Sequence, residues 1–313
     1  MRILITGGFG FIGGRLAQHL HQTGHQVILG SRHALCSPEW LTEAQVVQTN
    51  WQNCEALERI CKGVDIVIHA AGMNSKDCAT NPVDALDFNG LATARLVKAA
   101  CRKRVKRFIY ISTAHVYASP LVGTITENTC PRNLHPYATS HLAGENVLLG
   151  ATKRGEIDGI VLRLSNAFGV PMHKEVNCWM LLVNDLCRQA IETGKMILHS
   201  NGLQHRDFIA LTSVCRVIDK LTSCSVTDLR NVIFNIGAGS SISVLEMAQV
   251  IQQRFGLIYD FIPDLQFLKA DADEQYEILR YRSDKFVWNG DDIGSDNIAE
   301  INGLFKFCQR SFI

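Results

Sequence analysis

Three glycines, at positions 7, 10 and 13, stand directly after the apolar run 3–5 and open a helical pattern that carries Leu16 and Leu20 on one face. A strand that turns abruptly into a helix leaves the first backbone N–H groups of that helix unpaired and facing an incoming anion. Gly7 relieves the tight turn, Gly10 lets a pyrophosphate approach the backbone, and Gly13 lets the helix pack closely. The chemistry served by this spacing is the grip on a dinucleotide, and a second strand at 27–29 completes the unit such a grip requires. An acidic residue at the end of that second strand would hydrogen-bond an adenosine ribose and mark NAD. Gly30, Ser31 and Arg32 stand there instead. With no carboxylate to repel a 2′-phosphate, and a guanidinium able to pair with it through two charge-assisted bonds, NADP is expected over NAD.

The elements that must position this loop follow from alternation along the chain. Residues 3–6, 27–29, 46–48, 66–69, 108–112 and 159–164 read as strands separated by helical stretches, which predicts an α/β fold with a doubly wound parallel sheet. Residues 85–101 and 137–149 read as long helices. Beyond about 166 the alternation fades into loops near 170–177 and 201–206 and a polar tail after 271. At 313 residues and 47% hydrophobic content the chain can bury a large core. A net charge of +1 gives no electrostatic case for a nucleic-acid or anionic-membrane partner. The absence of a long apolar run and of a leader pattern points to the cytoplasm. Eleven cysteines, an odd number with no Cys-x-x-Cys pair, read as small buried hydrophobes, and no histidine spacing suggests a metal site.

Eight segments then fall in one order: TGGFGFIG at 6–13, DIVIHAAG at 65–72, DFNGLATARLVKAA at 87–100, FIYISTAHVY at 108–117, HPYATSH at 135–141, LRLSNAFG at 162–169, RDFIALTSV at 206–214 and FNIGAGSSISVLEMA at 234–248. In these the chain resembles the extended short-chain dehydrogenase/reductases of the NAD(P)-dependent epimerase/dehydratase family, which modify nucleotide sugars. The resemblance implies a Rossmann-type cofactor domain from 1–165 plus 206–236 and a smaller substrate domain from 166–205 plus 237–313. It also implies a homodimer formed through the two long helices; the alternative is that both helices cover one sheet face within a monomer. Cofactor contacts are implied for Gly7, Gly10, Phe11, Ile12, Gly13, Ser31, Arg32, Asn50, Ala70, Ala71, Gly72, Asn89, Tyr137 and His141, with Asn50 where the family usually has Asp. Thr113 and Tyr137 match the catalytic hydroxyl and phenol at the substrate oxygen. Asn166 and Arg206 match positions that approach the sugar diphosphate, and an arginine fork suits such oxygens. Arg280 and Arg282 lie where a second such arginine would sit.

The largest departure from the family is His141, which stands four residues after Tyr137 where a catalytic lysine is expected. Positions four apart share a helix face, so His141 points where the lysine would, toward both the phenol and the cofactor. A phenol titrates near ~10 and needs a nearby cation to act as a base at neutral pH, whereas imidazole, near ~6.5, is mostly uncharged there. A protonated phenol, by contrast, is already the species that gives a proton to a developing alkoxide. The departure therefore favours NADP-dependent reduction of a keto group on a nucleotide-linked sugar, with a pH optimum on the acid side where imidazolium replaces the lysine charge. Two alternatives stay open: a nucleotide-sugar 4-epimerase that retains NAD(P), and a catalytically weakened, cofactor-binding or regulatory homologue. Other features read blandly. His19, His21 and His25 are expected at the surface, and the basic run from Arg102 to Arg107 complements a helix end.

Overall fold

The computed structural model describes residues 1–224, 232–268, 277–285 and 293–313; residues 271–276 and 286–292 of the expected polar tail lie outside the described residues. In chain order the first elements are β1 (Arg2–Thr6), α1 (Phe11–Gln22), β2 (Gln26–Ser31), β3 (Gln45–Gln48), α2 (Cys54–Cys61) and β4 (Ile66–His69). Next come α3 (Ser75–Thr80), α4 (Pro82–Ala85), a π-helical turn (Leu86–Ala92), α5 (Thr93–Arg102), β5 (Arg107–Thr113), β6 (Thr124–Ile125) and α6 (Pro136–Lys153). They are followed by β7 (Asp158–Leu164), β8 (Asn166–Phe168), α7 (Leu182–Thr193), β9 (Lys195–Leu198), β10 (His205–Ala210) and α8 (Leu211–Ser223). The last are β11 (Ile233–Ile236), β12 (Ser241–Ser243), α9 (Val244–Tyr259), β13 (Asp264–Phe267), β14 (Arg280–Tyr281) and α10 (Ile293–Phe312).

These elements form two compact units. One comprises 1–119, 129–164 and 215–235. Its seven-stranded sheet has the order β11-β7-β5-β4-β1-β2-β3, and the pairs from β7 through β3 are all parallel. Strands β4 and β5 are buried along their whole length because helices cover both faces, which is why they read as unbroken apolar runs rather than alternating ones. One face is sealed by Leu4, Val67, Phe108 and Val161 of the sheet against Leu57, Leu96, Val97 and Leu148 of the helices. Strand order reverses between β1 and β4, the crevice where open α/β sheets bind ligands. The register pairs Thr6 with His69, so the glycine loop and the Ala70–Ala71 turn leave the sheet side by side.

The other unit comprises 120–128, 165–214 and 236–313. It holds a three-stranded sheet (β12-β10-β8) and two strand pairs (β13-β9 and β14-β6). Helices α7, α9 and α10 close its core around Leu186, Met247, Ile251, Leu304 and Phe305. A capping box, Ser243 with Glu246, starts α9. In contrast to the expectation that 206–236 returns to the large sheet, β10 pairs with β8 and β12, and the return begins only at 215. The local reason is Asp207, whose carboxylate accepts from the backbone N–H groups of Ala238 and Gly239 and from Ser165, tying β10 into this unit.

Candidate active site

Gly7 takes φ +68°, and a Cβ there would sit 2.8 Å from the Ala71 nitrogen; a Cβ on Gly13 would sit 2.2 Å from the Gly7 carbonyl oxygen. Both glycines are therefore demanded by close backbone approach as well as by the turn. Gly10 precedes the first turn of α1, which has no side-chain cap, so the N–H groups of Phe11, Ile12 and Gly13 are left for an anion. Ser31 ends β2 with its hydroxyl accepting from His33 N–H, and Arg32 follows it exposed. No ion pair engages Arg32 among the described residues. Asn50, after β3, is exposed, and its carbonyl oxygen caps the turn to Gln52. The glycine loop and the uncapped start of α1 fit a dinucleotide.

At the other end of the crevice the predicted residues meet through four elements. Thr113 closes β5, its oxygen accepting from His115 N–H, and its hydroxyl lies close enough to the Tyr137 phenol, in the first turn of α6, to favour the phenolate. One turn on, the His141 ring packs edge-on against Tyr137 at 4.6 Å between centroids. A Cβ on Gly72 would lie 3.7 Å from His141 Nε2, which places this nitrogen at the turn after β4. Asn89, in the π-helical turn, accepts from Met73 N–H at 2.8 Å and donates to Ser140 at 3.0 Å. Its amide thus pins the turn after β4 to α6.

Burial pushes His141 down to about 4, and it pushes His69 down to about 3 with His141 adding to the effect. The expected acid-side optimum therefore has no imidazolium behind it, because His141 stays neutral from pH 5 upward. Burial also raises the Tyr137 phenol above its ordinary value, with the neighbouring Thr113 hydroxyl only partly opposing it. The linkage follows directly. An unfolded histidine protonates near ~6.5, whereas the folded rings refuse the proton down to about 4 and about 3. Stability falls as pH drops through that window, by about 1.4 kcal/mol per pH unit per ring. Asp207, held up to about 6 by burial, opposes them with one equal slope below pH 6. Urea unfolding should lose about 2 kcal/mol between pH 7 and 5, with the ring nitrogen NMR signals of both histidines stationary. Signals that move within that range would contradict the neutral buried state.

Several residues around the site were not legible in the motifs. Glu145, four residues beyond His141 on the same face of α6, forms a two-pronged ion pair with Arg163 at 2.6 Å, with side-chain exposures of 0% and 4%. It also accepts from Ser112, next to Thr113, at 2.5 Å. Arg163 in turn lies 4.7 Å over the Tyr117 ring. The spacing 137, 141, 145 of polar residues along one helix face was the available signal. Tyr110 and His69 hide within apolar strands and gave none.

In the second unit, Asn166 uses one amide N–H on the Asp207 carbonyl at 3.0 Å. Arg206 is half-buried and bonded to the Gln204 amide oxygen at 2.9 Å; Asp207 turns away from it. Among the described residues no carboxylate offsets this guanidinium, whose pKa burial lowers. Arg280 is exposed, and Arg282 pairs with Asp284 at 3.3 Å. Elsewhere, His19 and His25 both meet Asp219, and Arg102 and Lys103 pair with Glu58. The described cysteines form no disulfide, no group of three potential ligands is arranged for a metal among the described residues, and no described helix is long and apolar enough to cross a membrane.

Comparison with known proteins agrees with this geometry. The chain is 27% identical over 267 residues to the dTDP-D-glucose 4,6-dehydratase of Bos taurus, covering 80% of this chain and 72% of that one. It is 26% identical over 264 residues to the dTDP-6-deoxy-L-talose 4-dehydrogenase (NAD(P)(+)) of Kitasatospora kifunensis, covering 82% and 80%. It superposes on MoeE5, solved in complex with UDP-glucose and NAD, with a TM-score of 0.77 and 25% identity over the whole of both chains. The model of the NAD dependent epimerase/dehydratase family matches residues 3–237, three quarters of the chain, and takes in the glycine loop, Thr113, Tyr137 and the seven-stranded sheet. The chain is an enzyme of the NAD dependent epimerase/dehydratase family.

Proposed function

We propose that the protein reduces a keto group of a nucleotide-linked sugar with NADPH. The observation that carries this reading is the half-buried Tyr137 near Thr113, its phenol held above its ordinary pKa, with a neutral imidazole where a cation would be needed to make the phenol a base. When bound, the nicotinamide supplies hydride to the keto carbon. Tyr137 gives its proton to the carbonyl oxygen as that oxygen gains charge, and Thr113 hydrogen-bonds the same atom, so the ketone becomes an alcohol. Arg206, a guanidinium with no carboxylate partner among the described residues, suits the diphosphate of the substrate, and Asn166 keeps one amide N–H for the same group. Relatives that act on or bind dTDP- and UDP-sugars support the substrate class.

The test is incubation of the purified protein with NADPH and a panel of keto nucleotide sugars. Oxidation of the cofactor is expected. Interconversion of sugars without net oxidation would identify the 4-epimerase alternative, and cofactor binding without either would identify a regulatory homologue. The preference for NADP rests on Arg32, and Arg32→Ser should weaken NADPH binding about 10- to 100-fold while leaving NADH within about twofold. An equal loss for both cofactors in calorimetry would remove Arg32 from this role.

A homodimer is supported by apolar side chains left in solvent along the helical segment from α4 to α6. Val83 is 81%, Leu86 54%, Leu91 48% and Val147 36% exposed. Cysteines that form no disulfide fit a reducing compartment, the cytoplasm.

A further inference from the structure

His141 does not stand alone at the floor of the crevice. Its Nδ1 lies 2.9 Å from the Tyr110 hydroxyl, and the two rings stack at 5.8 Å. The Tyr110 ring also stacks on His69 at 5.4 Å. Hydrogen counting fixes most of this layer. Thr93 donates its single proton to the Asn89 carbonyl at 2.6 Å, so it can only accept from His69 Nε2 at 2.9 Å. His69 therefore carries its proton on Nε2, and its bare Nδ1 accepts from Thr6, at the edge of the glycine loop, at 2.6 Å.

One proton remains to be placed, that of Tyr110. Two acceptors compete for it: His141 Nδ1, and the Thr93 oxygen, which the phenol also approaches. An imidazole nitrogen is far more basic than an alcohol oxygen, and this alcohol already accepts from His69. A phenol O–H to imidazole N bond is also stronger than the reverse N–H to phenol O bond, because the better acid then faces the better base. The site is shaped for this contact from the helix side as well: a Cβ on Gly144 would fall 2.8 Å from the Tyr110 oxygen.

We propose that Tyr110 is a positioning residue that donates to His141 Nδ1 and thereby holds His141 in its Nε2–H form, presenting one uncharged hydrogen-bond donor beside Gly72. The lysine that the family resemblance implies at 141 would be a donor by virtue of its charge, whereas in this chain a second ring makes a neutral residue a donor of fixed direction. The functional consequence, a donor for a ribose hydroxyl of the bound cofactor, rests on the reading under Proposed function. The ring assignment does not, so the two can fail separately.

The experiment is nitrogen-15 NMR of the histidine rings in the cofactor-free protein, with the His141 signals assigned from His141→Asn. The wild type should show a protonated Nε2 and a bare Nδ1, and Tyr110→Phe should collapse the pair toward averaged positions. Gly144→Ala, which crowds Tyr110 without removing its oxygen, should shift the same signals. In parallel, Tyr110→Phe should weaken cofactor binding about three- to tenfold in the native background and not at all in His141→Asn. A protonated Nδ1 in the wild type, ring signals unmoved by Tyr110→Phe, or an equal binding loss in both backgrounds would each overturn the proposal. If no pyridine nucleotide binds, the cofactor reading fails while the ring signals still decide the role of Tyr110.

Discussion

Replacing Tyr137 by Phe is expected to lower turnover of a keto nucleotide sugar by about 10²- to 10⁴-fold while cofactor affinity stays within about twofold. The substitution removes one oxygen and keeps the ring that packs against His141, so the crevice retains its shape. What disappears is the acid that the end of β5 and the start of α6 place near Thr113. Because the phenol is held above its ordinary pKa by burial, wild-type turnover should also be level from pH 6 to 8, with no rise toward acid. Comparable fall in cofactor affinity and turnover would mean that Tyr137 serves binding rather than proton delivery. A fall in turnover below tenfold would remove it from the chemistry.

Glu145→Leu should destabilise the first unit by about 3–5 kcal/mol, because it leaves the Arg163 guanidinium buried with no counter-charge. The pair itself contributes far less than this figure, since removing two charges from water costs about as much as their attraction returns. Accordingly, Glu145→Leu combined with Arg163→Met should recover most of the loss in urea unfolding. A double variant as unstable as the single one would show that packing around Tyr117 and Ser112, not the uncompensated charge, sets the cost. The single variant should also loosen the end of β5, where Ser112 loses its acceptor next to Thr113, and so lower activity more steeply than stability alone requires.

Both predictions involve α6, where the limits of reading the chain are clearest. The spacing of Tyr137 and His141 was visible because a helix repeats every ~3.6 residues, and positions four apart must share a face whatever surrounds them. The same rule reaches Glu145, but its partner Arg163 lies on β7, and no local pattern links them. Arg206 followed a similar course. Its candidacy came from the motif, while the fact that Asp207 turns to Ala238 and Gly239 and leaves the guanidinium without a carboxylate among the described residues depends on how β10 pairs.

The sequence by itself determined the glycine loop, the parallel α/β alternation and the pairing of a phenol with an imidazole on one helix, because each rests on backbone sterics or short-range periodicity. Tertiary structure alone decided the charge state of His141, the partnership with Tyr110 and the placement of β10 outside the large sheet. Those outcomes depend on which distant side chains exclude water from a given atom and which strand edge remains to be paired. An amino-acid order expresses such facts only once the chain has closed on itself.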